Sequence, residues 1–174
     1  MIRKLAVTLV ATTTLLTGSA MAAHAAPAKP DFRAQAIASG LTAAQATSLQ
    51  QRVDGVLAAI PGGRQVSATQ VNYDGLTVTF DPTYSASKPG DVTVQELLCS
   101  QGWLCMIVRG IVFSFYKCQY WSLSDWWGVG PYKNYQTRGT VARFYDKNWV
   151  QIWTTTAVEE GEKDWTPFWF LKVC

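Results

Sequence analysis

The sequence contains a single histidine, His24, and it lies in an N-terminal segment that we predict to be removed. Imidazole is the side chain most often used near neutral pH as a general base, a proton shuttle or a zinc ligand. The mature chain would therefore lack the group on which a Ser-His-Asp triad depends. We predict that the protein is not an enzyme, has no catalytic residues, and uses no cofactor and no metal.

Carboxylates are the remaining candidates for proton transfer. Sugar hydrolysis would need two carboxyl groups about 5 to 9 Å apart. Asp125 and Asp146 fall in predicted turns, and the acidic run 159–164 is typical of a solvated loop. We therefore assign none of them a catalytic role.

Charged residues are also scarce, at 16% of the chain. Fifteen Lys and Arg against twelve Asp and Glu give a formal net charge of +3, and removing Arg3 and Lys4 with the N-terminal segment lowers it to +1. A nucleic-acid-binding surface usually requires a marked excess of positive charge. We expect no nucleic-acid partner.

The apolar run near the N-terminus, residues 5–16, is short and interrupted by threonines. A membrane-spanning helix needs about 20 apolar residues. Arg3 and Lys4 precede the run, and small residues ending in Ala25 follow it, which is the layout of a secretory signal. We predict that residues 1–25 are a signal peptide, that the protein is secreted, and that it has no membrane partner after cleavage.

The four cysteines all lie in the last 76 residues, at Cys99, Cys105, Cys118 and Cys174. In a secreted protein an even number of cysteines indicates disulfide bonds. Three connectivities are possible. We favour Cys99 with Cys105, which bracket a short loop, and Cys118 with Cys174, which would tie the last strand to the core. Zinc is the alternative, but the chain lacks the paired CxxC spacing of such sites.

Residues 26–80 predict a helix followed by a hairpin. Thr42 and Gln45 have capping-box spacing, and apolar residues recur at helical intervals over 43–60. Two alternating runs, 66–73 and 76–80, flank an Asp-Gly turn, which indicates a β-hairpin. We expect residues 27–35 to be irregular and residues 81–97, rich in Pro, Gly and Ser, to be a linker.

All eight tryptophans lie in residues 98–174. Short alternating runs without a long helix predict a small disulfide-braced antiparallel sandwich or barrel, so the fold class is mainly β. We expect this domain to fold without the αββ extension that precedes it. Its predicted strands are 103–109, 111–118, 140–145, 149–155 and 166–174.

Several short motifs follow one another in a fixed order: Cys99 and Cys105, an aromatic-rich strand ending at Cys118, the runs 121–124, 128–131, 134–140 and 142–145, and Cys174. This frame resembles small secreted actinomycete proteins of a peptidase-inhibitor family with a βγ-crystallin-like fold. The predicted N-terminal helix is also similar to theirs. The resemblance implies that scaffold and an inhibitor-like role.

The βγ-crystallin-like fold can bind calcium through paired Asn/Asp residues and a Ser/Thr-Ser ending. At the matching place this chain has Tyr135 instead of the second amide and Arg138 instead of the hydroxyl, so hard oxygen ligands are few. We predict no calcium site. Asn134, Gln136 and Thr137 should instead fix a turn through hydrogen bonds from side chain to backbone.

We therefore predict a secreted, monomeric, non-enzymatic binding protein, with an inhibitor-like module that binds an extracellular peptidase. The alternative is a carbohydrate or cell-wall binding module that uses exposed aromatics, with a polysaccharide as partner. Gly128 to Pro131 should interrupt any strand and leave the neighbouring aromatic rings in a loop. The predicted partner-binding residues are Trp126, Trp127, Tyr132 and Tyr135.

Overall fold

Two antiparallel sheets, one of seven strands and one of four, form the fold. The computed structural model describes residues 30–85, 95, 97–123 and 126–174. The predicted signal peptide and most of the predicted linker lie outside the described residues. Asp31–Cys174 form one unit.

The described residues contain two helices, neither of them long and apolar enough to cross a membrane. They are α1 (Phe32–Ala38) and α2 (Ala43–Ala59). The strands in chain order are β1 (Arg64–Ser67), β2 (Gln70–Tyr73), β3 (Leu76–Phe80), β4 (Leu104–Val108), β5 (Ile111–Phe115), β6 (Tyr120–Ser122), β7 (Val129–Asn134), β8 (Val141–Tyr145), β9 (Gln151–Thr156), β10 (Glu159–Asp164) and β11 (Phe170–Lys172).

Helix α2 begins as predicted. Gln45 N–H donates to the Thr42 hydroxyl at 3.3 Å, and Thr42 N–H donates to Gln45 Oε1 at 2.9 Å, which completes a capping box. Leu49 and Val53 lie on its buried face. The helix α1 is a correction, because residues 27–35 were expected to be irregular. Asp31 caps this helix of seven residues, and Ala36 is its only buried residue.

The seven strands of the larger sheet run in the order β1-β2-β3-β5-β4-β7-β10. Strand β3 belongs to the predicted extension and β5 to the predicted β domain, yet they pair over five residues from Leu76↔Phe115 to Phe80↔Ile111. The composition shift at residues 81–97 therefore does not separate two cores. The predicted boundaries at residues 80 and 98 therefore do not separate two domains, because the β2–β3 hairpin is part of the same sheet as β4 and β5.

The predicted run 66–73 is broken in two. Strand β1 ends at Ser67 and β2 begins at Gln70, with Thr69 N–H donating to the Ser67 hydroxyl in the turn between them. The predicted strand 166–174 is shorter, because Asp164 accepts two hydrogen bonds from Thr166 and holds an irregular segment before β11.

The smaller sheet has the order β6-β11-β8-β9. Its inner face packs on the larger sheet through aromatic rings: Tyr132 of β7 lies 5.1 Å from Trp153 of β9 between centroids, and Trp153 in turn lies 4.7 Å from Phe144 of the neighbouring strand β8. The buried Trp165 donates its indole N–H to the Ile107 carbonyl at 2.9 Å. These contacts confirm a small β sandwich with an N-terminal helical extension.

Both predicted disulfides are present. Cys99 is bonded to Cys105 and Cys118 to Cys174, with Cα–Cα distances of 5.7 and 5.2 Å, and no cysteine of the chain is free. The first bond closes the loop before β4. The second joins the end of the chain to the segment between β5 and β6. The fold is therefore disulfide-braced, as the cysteine spacing predicted.

Candidate ligand-binding surface

The four aromatic residues predicted to bind a partner do not form one surface. Trp126 and Tyr132 are both only 6% exposed, so their assignment to an exposed loop is wrong. The reason is that Gly130 and Pro131 do not interrupt a strand but lie within β7. Trp126 packs against Phe113, with 4.6 Å between ring centroids.

Gly130 explains why β7 can carry this sequence. A Cβ atom at Gly130 would collide with the Ile107 carbonyl oxygen and would lie 2.9 Å from Trp165 Nε1. Glycine lets β7 approach the hydrogen bond between those two groups. Gly130 is therefore required for close packing between strands and does not indicate a loop.

Trp127 and Tyr135 are exposed, as predicted, and Trp127 is 48% exposed. The Arg109 guanidinium lies 4.0 Å from the centroid of the Trp127 ring, so a cation already covers part of that ring. Among the described residues no ring contact joins Trp127 to Tyr135. These two side chains remain separate candidates for partner binding.

A larger exposed aromatic cluster lies on the outer face of the smaller sheet. Side chains alternate between the two faces of a strand, so Phe170 and Lys172 point outward while Leu171 between them is buried. Tyr145 is paired with Phe170, and Tyr120 is paired with Lys172. Trp149, from the turn that follows β8, joins these rings. We call Tyr120, Tyr145, Trp149 and Phe170 the aromatic platform.

The turn after β8 positions Trp149. Asp146 Oδ1 accepts hydrogen bonds from the N–H groups of Asn148 and Val150, at 2.8 and 2.9 Å. Trp149 itself has φ of 63°, in the left-handed region that non-glycine residues seldom adopt. This conformation brings the indole back over the sheet.

Trp149 stacks on Phe170 with 3.8 Å between ring centroids and 10° between planes. Tyr120 and Tyr145 lie 5.8 and 6.0 Å from the same indole, and neither ring stacks parallel to it. Trp149 is nevertheless 53% exposed. One face of the indole is therefore covered by Phe170, and the other is open to solvent.

Polar groups border the platform. Lys172 Nζ lies 5.6 Å from the centroid of the Tyr120 ring. Desolvation raises the pKa of Tyr145, and a hydrogen bond with the Tyr120 side chain raises it further. A flat apolar face with hydroxyl and ammonium groups at its edge can stack on an apolar ligand face and hydrogen-bond to its polar edge.

The acidic run 159–164 is a strand and not the predicted solvated loop. Strand β10 pairs with β7 over six residues at the edge of the larger sheet. Its side chains are mostly exposed and charged, which is common for an edge strand. The run gave no hydrophobic alternation from which a strand could be predicted.

Glu159 in this strand is held by three hydrogen bonds. It accepts from the Tyr132 hydroxyl at 2.8 Å and from the Thr155 hydroxyl and Thr156 N–H, both at 2.9 Å. Burial raises the pKa of Glu159, but these hydrogen bonds outweigh it and lower the pKa below its ordinary value. Desolvation, followed by the hydrogen bond to Glu159, raises the pKa of Tyr132 to about 12. This arrangement fixes β10 on β7 and β9.

Asn134 is buried and fixes a turn, as predicted. Its side-chain amide donates to the Thr155 carbonyl at 3.1 Å, and its Oδ1 accepts from Gln136 N–H at 3.4 Å. The residue therefore connects β7 to β9 at the start of the turn.

The platform residues were absent from the sequence prediction. Tyr120 begins the short strand β6, which is not among the predicted strands, and Trp149 lies in a turn where the sequence predicts the start of a strand. Period-two alternation around the buried Leu171 could have placed Phe170 on the outer face. The contact between Trp149 and Phe170 joins residues from two separate elements, and no local pattern encodes it.

Comparison with known proteins gives no relative for this chain: no family model, no curated protein and no solved structure matches it.

Proposed function

We propose that the protein is a secreted, non-enzymatic module that binds polysaccharide through the aromatic platform. The observation that carries this proposal is the indole of Trp149, which is stacked on Phe170 at 3.8 Å and is still 53% exposed. An exposed large aromatic ring backed by a second ring is rigid before any ligand binds. Such preorganisation lowers the entropy cost of association.

Sugar rings match this surface chemically. One face of a pyranose presents C–H groups that can lie flat on an aromatic ring, and its rim presents hydroxyls. Tyr120 and Lys172 at the border of the platform supply hydrogen-bonding groups. The outer face of a sheet is also accessible to a long polymer, which a narrow cavity would exclude.

An extracellular setting is consistent with both disulfides, because such bonds persist in oxidising compartments. The signal-like segment 1–25 supports the same location. A chain with no histidine after cleavage and a near-neutral charge fits a binding role better than hydrolysis or nucleic-acid binding.

A peptidase-inhibitor role is the second candidate, and one observation favours it. Leu98 is 89% exposed and directly precedes Cys99 of the short disulfide. The loop after it is pinned by Gly102 N–H, which donates to the Tyr135 carbonyl at 2.7 Å. An inhibitor needs an exposed side chain on a rigid loop, because loop ordering then costs little on binding.

The two roles are separated by assaying one preparation on insoluble polysaccharides and on a panel of extracellular peptidases. The variants are Trp149→Ala for the platform, Leu98→Glu for the loop, and Trp127→Ala as a matched control. Trp127 has nearly the same exposure as Trp149 but lies outside the platform.

We expect the wild type and the Trp127→Ala variant to be retained on at least one polysaccharide, and Trp149→Ala to be lost from it. Peptidase inhibition that is abolished by Leu98→Glu and unchanged by Trp149→Ala would establish the second role. Loss of retention in Trp127→Ala alone would return the site to the surface predicted from the sequence.

A further inference from the structure

A cavity of about 610 Å³ lies between helix α2 and the tip of the β4–β5 hairpin. Much of its wall is apolar, including Leu49 and Val56 of the helix, Ile111 and Phe113 of β5, and the ring of Trp126. Small-molecule sites typically occupy about 300 to 1,000 Å³. None of the platform residues lines this space, so it is separate from the proposed polysaccharide site.

Two cationic side chains, Arg52 and Arg109, line the cavity, and no Asp or Glu is found among the described residues of its lining. The Arg52 guanidinium donates to the main-chain carbonyls of Asp81 and Gly110, at 2.7 and 2.9 Å. These acceptors are neutral, and among the described residues no carboxylate lies within ion-pair distance of Arg52.

Arg52 is held in a place where its charge is only partly hydrated. Its guanidinium lies 4.8 Å from the centroid of the Tyr84 ring and 5.7 Å from that of Phe80. Burial lowers the pKa of Arg52, and this effect outweighs the nearby charge of Asp81, which raises it. A ligand anion beside this group would oppose the effect of burial.

Trp126 forms part of the cavity wall and is more than nine-tenths buried. Its indole Nε1 has no hydrogen-bond partner in the part of the chain that the structure describes. This atom has almost no accessible surface, so a ligand oxygen would reach it only if the indole turned towards the cavity.

We infer that this cavity binds a medium-chain aliphatic carboxylate, with its alkyl chain against the apolar wall and its carboxylate directed to the donors of Arg52. The apolar part of the wall suits an alkyl chain better than a sugar, and the guanidinium of Arg52 disfavours an organic cation beside it. The site needs no catalytic group and no metal.

Gly55 allows the cavity to be blocked without removing any existing contact. It lies on α2 in the cavity lining, and a Cβ atom there would meet no atom within 4 Å. A Gly55→Leu side chain would extend into the open space, and leucine favours a helix more than glycine does. Ala58→Leu is the matched control, because Ala58 is exposed on the same helix and does not line the cavity.

The experiment titrates the full mature protein with decanoate by calorimetry, and with decan-1-ol as a ligand of equal chain length without charge. We expect saturable decanoate binding that is at least tenfold tighter than decanol binding. Gly55→Leu should abolish it, and Ala58→Leu should retain it. Arg52→Gln should reduce the preference for decanoate over decanol; if that variant fails to fold, Gly55→Leu still decides the location.

Absence of saturable decanoate binding would overturn the inference. Equal affinity for decanol would overturn the role of Arg52, and unchanged binding in Gly55→Leu would show that the ligand occupies another place. Polysaccharide retention should be the same in Gly55→Leu and the wild type, so failure of this site and failure of the platform are distinguishable.

Discussion

Phe80 tests whether residues 31–80 and 98–174 share one core. It lies at the end of β3, is 1% exposed and pairs with Ile111 of β5. Truncating a buried phenylalanine to alanine typically costs about 3 to 5 kcal/mol. Phe80→Ala should therefore lower the free energy of unfolding by that amount, and should lower the melting midpoint by roughly 10 °C.

Tryptophan fluorescence makes the test specific. All eight tryptophans lie beyond residue 98, whereas the substitution is in β3. If β3 and β5 belong to one cooperative sheet, a change at Phe80 must shift the urea midpoint reported by those tryptophans. Thr79→Ala is the control, because Thr79 is exposed on the same strand and its loss should change stability by less than about 0.5 kcal/mol.

An unchanged fluorescence midpoint in Phe80→Ala would refute this reasoning. It would mean that the helix and hairpin unfold separately, as the composition of the chain first suggested. For the same reason we expect residues 98–174 alone to aggregate or stay unfolded, because β5 would lose its neighbour β3 and become an unpaired edge strand.

Three further predictions follow from buried polar groups and close packing. Gly130→Ala should cost about 1 to 3 kcal/mol in urea denaturation, because its Cβ would collide with the Ile107 carbonyl; an unchanged midpoint would contradict the packing. Burial raises the pKa of Tyr73 and of Tyr132 from 10.0 to about 12. The contribution of these neutral tyrosines to the free energy of unfolding should be complete below pH 10 and should be lost towards pH 12. If the absorbance of the native protein showed all tyrosines titrating near pH 10, this prediction would be wrong. The lowered pKa of Glu159 contributes stability above its ordinary value of 4.5 that is lost as pH falls below it; thermal melts should therefore show the gap between wild type and Glu159→Gln narrowing below pH 4.5, and a constant gap would exclude this contribution.

Local signals predicted the elements that local chemistry encodes. The capping box at Thr42 and the apolar spacing after it located α2, and the Asp-Gly turn located the β2–β3 hairpin. The cysteine spacing predicted both disulfides. A turn at Gly110 separates β4 from β5 as expected, although it also includes Arg109, which was predicted to end the strand.

The sequence alone could not locate features that depend on distant partners. Strand β10 has no apolar alternation, because it lies at a sheet edge and exposes its charges. Trp126 and Tyr132 were assigned to the surface because the glycines near them were attributed to a loop. The platform depends on Trp149 folding back onto Phe170, a contact between a turn and a strand.

The affinity of a soluble oligosaccharide, taken from whichever polysaccharide retains the protein, tests the central proposal most directly. Titration calorimetry should compare the wild type with Trp149→Ala and Trp127→Ala, with thermal melts to show that all three are folded. We expect Trp149→Ala to weaken binding at least tenfold, which corresponds to about 1.4 kcal/mol, and Trp127→Ala to leave it unchanged. Full affinity in a folded Trp149→Ala variant would contradict the assignment of the platform as the binding site.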